Sequence, residues 1–238
     1  GGLLAKLKPE WHQAFWSANT SSYSTGTQMA QAVAIWLDIV PPDLLPALVD
    51  KLAADCAQNG VTIGFVGVRY LFEALAKQKR TDAALACIAR PGYPGFHYEI
   101  YNEYEPSTSL WESWNVNTQT CITCETSRDH HYRASINTFL RKYVAGLDMK
   151  PGASGWSTVL VRPEAAHTAV PSASASIESH RGTVAAAWVR SSDSFVLNVS
   201  IPHGSSAEVH VPKVFSGGTV VTEGGAVVSG GAGDAAMG

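Results

Sequence analysis

The chain has 238 residues, 45% of them hydrophobic and 16% charged, which is enough to bury a full core in one large domain or two modest ones. A net charge of −3 with no basic run argues against nucleic acid or an anionic membrane surface as a partner. The longest apolar stretch, Met29 to Val40, is interrupted by Gln31 and Asp38 and is too short to cross a bilayer.

Gly1-Gly-Leu-Leu-Ala-Lys6 lacks the makeup of a signal peptide, as would also be expected if the chain began partway along a longer precursor. Cytoplasmic and secreted locations both stay open. Leu4, Leu7, Trp11, Phe15 and Trp16 recur at helical spacing, and Pro9 is the expected first turn of that helix. Asn19 to Gly26 reads as a polar loop. Thr25 or Thr27 then caps a helix over residues 28–39, which Pro41-Pro42 stops. Asp43 is the expected cap of a helix over 44–58, with Leu44, Leu45, Leu48, Leu52 and Cys56 on one side and Asn59-Gly60 closing it. Further helices are predicted over 70–78 and 82–89, so helix pairs on short loops repeat along this part of the chain.

Arg90-Pro-Gly-Tyr-Pro-Gly95 breaks the helical pattern. Phe96 to Tyr104 alternates aromatic and polar residues, which predicts a short extended piece. A helix resumes over 131–146 with Ile136, Phe139, Leu140 and Tyr143 facing inward. After Pro151 the composition turns to Val, Ser, Thr and Ala. Short alternating runs at 158–161, 173–179, 183–190, 195–201 and 207–211 are separated by turn residues, the pattern of an antiparallel β-sandwich. Residues 219–222 and 226–228 would form a last hairpin. The expected division is therefore 1–150 helical, 151–229 β-sandwich and 230–238 a disordered glycine-rich tail.

Four cysteines stand at 56, 87, 121 and 124. Cys121-Ile-Thr-Cys124 has the spacing of a zinc knuckle or a redox pair, but no second close pair accompanies it, so a disulfide or free thiols fit as well. Asn19-Thr-Ser and Asn198-Val-Ser match the glycosylation acceptor pattern. No metal site or cofactor motif is read.

Leu110-Trp-Glu-Ser-Trp114 places a carboxylate between two indoles, inside a stretch from Glu105 to Tyr132 that is rich in turn and polar residues. A loop of this kind beside a cleft suits carbohydrate chemistry: indole faces take the apolar side of a sugar ring, and the carboxylate holds hydroxyls or moves a proton. The same five residues also fit a buried aromatic pair around a Glu that caps a helix or pairs with an Arg.

Several motifs in order along the chain resemble those of the α-L-rhamnosidases, inverting glycosidases of the six-hairpin type. They are Ser24-Thr-Gly-Thr-Gln28, Gly64-Phe-Val-Gly67 with Tyr70-Leu71, Tyr93-Pro-Gly-Phe96, Thr108-Ser-Leu-Trp-Glu-Ser-Trp114, Ser127-Arg-Asp-His130, and Tyr143 to Leu147 followed by Pro151-Gly152 and Val161-Arg-Pro163. Val68 stands where the family has threonine, and Phe96 where it has tryptophan. The resemblance implies the late part of an (α/α)6 barrel followed by a small antiparallel β-sandwich. It also implies that Glu112 is the general base, that His130 binds sugar hydroxyls, that Trp111, Trp114 and Phe96 form apolar walls, and that Thr108 shapes the loop. The bland readings are that His130 caps the next helix, that Phe96 is core, that Glu103, Glu105 and Glu125 are solvated, and that Asp38 and Asp55 are structural.

The family's acid-bearing motif has no counterpart here, and the predicted helices are too few for a whole barrel. The resemblance thus implies a fragment, or a chain that works with its missing N-terminal half or another protein. Its ligand would be a rhamnose-containing glycoside. The alternative is an inactive carbohydrate-binding or assembly module that keeps the aromatic cleft.

Overall fold

The computed structural model describes residues 2–114, 126–215, 220–230 and 236–237. The chain forms two compact units, Gly1–Asn137 and Thr138–Gly238.

In the first unit α1 spans Gly2–Phe15 and runs through Pro9 instead of starting there. Proline has no N–H to give the carbonyl one turn back, which weakens a helix that buries none of its residues. The polar stretch after it contains a short hairpin, β1 (Trp16–Ser17) against β2 (Ser22–Tyr23). The next helix, α2, spans Gln28–Trp36, and the Thr27 side chain accepts the Ala30 N–H as an N-cap should. In α3, Leu45–Asn59, Leu44 holds the cap position without a side-chain bond, and Pro46 stands in the first turn, where its missing N–H costs nothing. Asp43, the expected cap, lies one residue too early.

Helices α4 (Val68–Lys77) and α5 (Thr81–Ala89) follow, then α6 (Phe96–Tyr101) where an extended piece was expected. The reason is local: Phe96 and Glu99, three apart, both turn inward, which is a helical spacing that the aromatic-polar alternation conceals. Helix α2 packs on α3 and α4 on α5, while α2 also neighbours α4 and α3 neighbours α5. These are successive helical hairpins in two layers. The inner layer is clearest at α4, where Val68, Leu71, Phe72, Ala74, Leu75 and Ala76 are all buried. Each large apolar side chain removed from water there contributes about 1.5–3 kcal/mol.

The helix expected over 131–146 is three pieces: a 3-10 turn His131–Ser135, α7 (Ile136–Phe139) and a π turn Leu140–Val144. In the second unit a strand that the sequence did not announce, β3 (Leu147–Met149), comes next. It is followed by β4 (Thr158–Val161), β5 (Ser172–Ser179), β6 (Gly182–Arg190), β7 (Phe195–Ser200) and β8 (Ser206–His210). Strands β9 (Val220–Glu223) and β10 (Ala226–Gly230) form the expected hairpin, and β11 (Ala236–Met237) pairs with β8. The remaining tail residues, 231–235 and 238, lie outside the described residues.

One sheet has the order β11-β8-β4-β3 and the other β5-β6-β7. All pairs are antiparallel except β4 with β8. Leu147, Val159 and Val161 from the first sheet and Val184 and Ala186 from the second form one buried cluster, so this unit is a sandwich around a thin aliphatic core. Gly146 enters it at φ +82, where a Cβ would lie 2.4 Å from the Pro163 nitrogen.

Candidate functional site

The loop that carries Glu112 is described over 105–114 and 126–130. Glu125, Cys121 and Cys124, with the zinc, disulfide and thiol readings of that pair, lie outside the described residues. At its entry the Asn102 side chain closes a turn. It accepts the N–H groups of Tyr104 (3.2 Å) and Glu105 (2.7 Å) and donates to the Glu105 carbonyl at 2.9 Å. The two legs of the loop then hold each other. The His130 N–H donates to the Leu110 carbonyl at 2.7 Å, and the Glu112 N–H donates to the Ser127 carbonyl at 2.9 Å. The carboxylate of Glu112 joins this ladder, because its Oε2 accepts the Ser127 N–H at 2.9 Å. Glu112 is half-buried. A carboxylate oriented by one backbone donor on a loop of this kind can accept a proton or hold a hydroxyl.

Trp111 and Trp114 are 2% and 6% exposed, and Phe96 is 5% exposed. The rings of Phe96 and Trp114 meet edge to face with centroids 5.1 Å apart, the Trp114 Nε1–H donates to the Ile63 carbonyl at 2.9 Å, and the Arg133 guanidinium carbon lies 3.3 Å from the Trp114 ring centroid. The aromatic faces are thus taken up inside the unit.

Beneath them is an ion pair that sequence reasoning missed. Arg133 donates to Glu99 Oε2 at 2.6 Å, and both side chains are out of water, at 0% and 1% exposure. Glu99 Oε1 accepts the Trp111 N–H at 2.7 Å, and Arg133 Nη2 donates to the Glu112 carbonyl at 3.1 Å. Burial pushes the Glu99 carboxyl above its ordinary value against the opposing pull of the Trp111 N–H and Arg133, and it lowers Arg133 to about 10. Glu99 and Arg133 are 34 positions apart in the chain, and each alone reads as a surface charge.

His130 is half-buried, packs on Phe65 at 4.3 Å and stacks on His131 at 5.5 Å. It stands just before the 3-10 turn but gives it no side-chain cap. Its Nδ1 is enclosed and has no hydrogen-bond partner among the described residues. Thr108 is exposed. Glu103 is exposed, while Glu105 pairs with Arg128. Asp38 bonds Lys77 at 2.6 Å and Asp55 bonds Asn59 at 2.5 Å, both structural contacts. A cavity of about 520 Å³ opens among Thr25, Thr27, Gln28, Asp55, Thr62 and Ile63. Glu112 does not line it, but the two regions share a wall at Ile63, whose carbonyl holds Trp114.

Two domain families match, in order. The bacterial alpha-L-rhamnosidase six-hairpin glycosidase domain covers residues 2–144, and the bacterial alpha-L-rhamnosidase C-terminal domain covers 146–225. An alpha-L-rhamnosidase of Streptomyces avermitilis is 29% identical over 215 residues, 88% of this chain and 20% of its own length. One from an Alteromonas species is 26% identical over 199 residues, 80% of this chain and 20% of its own. Among solved structures, the alpha-L-rhamnosidase of Dictyoglumus thermophilum superposes with a TM-score of 0.83 at 25% identity, covering 95% of this chain and 25% of that one. The S. avermitilis enzyme complexed with L-rhamnose gives 0.73 at 26%, covering 98% and 23%. The chain therefore spans about a fifth of the length of these curated relatives. With its helical hairpins matched by one model and its sandwich by the other, the chain belongs to the bacterial alpha-L-rhamnosidase six-hairpin glycosidase family.

Proposed function

We propose that this chain is the base-bearing part of an inverting α-L-rhamnosidase that removes terminal α-L-rhamnose from glycosides. In this reading Glu112 takes a proton from the attacking water. Inversion requires a second, protonated carboxyl about 6.5–9.5 Å away, across the scissile bond. That acid comes from residues outside these 238, whether earlier in the same polypeptide or on another chain. His130, half-buried at the end of the loop, holds sugar hydroxyls, and Thr108 shapes the loop. Trp111, Trp114 and Phe96 serve the sugar site from behind, by keeping the loop in place under it.

The observation that carries the reading is the setting of Glu112. A half-buried carboxylate is oriented by the Ser127 N–H on a loop whose two legs are laced together, in a chain whose relatives are named alpha-L-rhamnosidases. The test is hydrolysis of p-nitrophenyl α-L-rhamnoside by the full-length protein and its Glu112→Gln variant, with the anomer of the first-formed rhamnose read by NMR. Loss of general-base catalysis is expected to lower kcat about 10²–10⁴-fold, with the inverted anomer appearing first. An unaffected variant removes Glu112 from the chemistry. Rhamnose binding without any turnover would put the binding-module alternative in its place.

A further inference from the structure

Glu99 and Arg133 are fully buried, and their bonds converge on the residues flanking Glu112. Through its two oxygens Glu99 accepts from the Trp111 N–H (2.7 Å) and from Arg133 (2.6 Å). Arg133 adds a bond to the Glu112 carbonyl at 3.1 Å and a close stack on Trp114. The N–H of the residue before Glu112, the carbonyl of Glu112 itself and the indole two residues after it are all gripped by one pair.

This arrangement is expensive for what it gives stability. Taking two charges out of water costs several kcal/mol per ion, and an apolar pair of similar volume commonly holds two elements together as well or better. The Arg133 Nε is in addition enclosed with no partner among the described residues. An apolar pair could not, however, accept the Trp111 N–H or donate to the Glu112 carbonyl. Those two bonds set the backbone on either side of the side chain that has to meet the water.

We infer that Glu99 and Arg133 are positioning residues that aim the Glu112 carboxylate. The inference rests on the reading of Glu112 as the general base. Misplacing a reacting group by about 1 Å is enough to cost about 10²-fold in rate.

The test replaces the pair with apolar side chains, Glu99→Met together with Arg133→Met, in the full-length protein, and measures kcat and KM on p-nitrophenyl α-L-rhamnoside beside the thermal midpoint. The expected result is a folded protein whose kcat falls about 10²-fold while KM stays within about threefold. A folded double variant with the parent's kcat overturns the inference, since the pair would then only hold the fold. If the double variant does not fold, Arg133→Lys decides. It keeps the charge beside Glu99 but cannot also reach the Glu112 carbonyl, so kcat should fall about tenfold, the worth of one hydrogen bond to a charged group; parent-like kcat overturns the inference. Glu112→Gln, run alongside, separates the two levels. If it leaves turnover intact, the base assignment fails and the inference with it. If it abolishes turnover while the pair variants do not, only the inference fails.

Discussion

The indole of Trp188, in the middle of β6, donates its Nε1–H to the carbonyl of Val144 at 2.9 Å, out of reach of water. The bond ties the end of the π turn to the sandwich and satisfies a carbonyl that the end of the helix leaves open. Trp188→Phe keeps the ring and removes the donor. Leaving that buried carbonyl unpaired is expected to cost about 1–3 kcal/mol, read as a lower denaturant midpoint at unchanged slope.

In the helical unit Gln28 plays a comparable part across a larger distance. Its amide donates to the Gly60 carbonyl at 2.8 Å and accepts the Thr62 N–H at 3.0 Å, fastening the start of α2 to the turn after α3. Gln28→Ala strands both groups, at about 1–3 kcal/mol each. The expected signature is a loss of stability with faster hydrogen exchange at Thr62. Unchanged exchange there would mean that the turn holds itself.

The buried ion pair makes a prediction about pH whose sign can be checked. Burial holds the Glu99 carboxyl above its ordinary value of 4.5 in the folded protein, so the native state binds that proton more tightly than the unfolded chain. The stability linked to that proton is fully present below the unfolded value and is lost as pH rises through the folded one. Glu99→Gln cannot titrate. The stability of the parent minus that of the variant should therefore decline between about pH 4 and the folded value in urea titrations. A difference that grows with pH would mean that the Arg133 partner outweighs burial.

Cys56 and Cys87, on the neighbouring helices α3 and α5, are buried and free. The hydrogen bond with Cys87, and then burial, push the Cys56 thiol upward. Because both side chains are buried, both sites should resist iodoacetamide in the native protein and label together only as denaturant unfolds the helical unit. Mass spectrometry by peptide distinguishes them from Cys121 and Cys124. Early labelling of Cys87 alone would show that α5 opens on its own.

Much of this architecture was legible because its signals are local. Strands β4 to β7 alternate in and out with turn residues between them, and Thr27 caps α2 as its position suggests. The loop and Glu112 stand out through the pair of tryptophans. What the chain hides is what depends on distant partners. Glu99 looks like one polar residue in an alternating run until Arg133 is brought to it, and then the run is seen to be the helix α6. Asp43 has the right chemistry for a cap, but Leu44 takes that place and Pro46 occupies the first turn of α3. Strand β3 is too short to show a period, and it exists because β4 pairs with it.

The backbone of Trp111 is bonded to Glu99, and three residues later the indole of Trp114 is bonded to Ile63. These two anchors measure out the peptide between them, so Glu112 has almost no slack. Natural variants of this protein should accordingly keep one fixed count of residues between the two indoles. A single extra residue there would pull one anchor free and leave the carboxylate facing a different way.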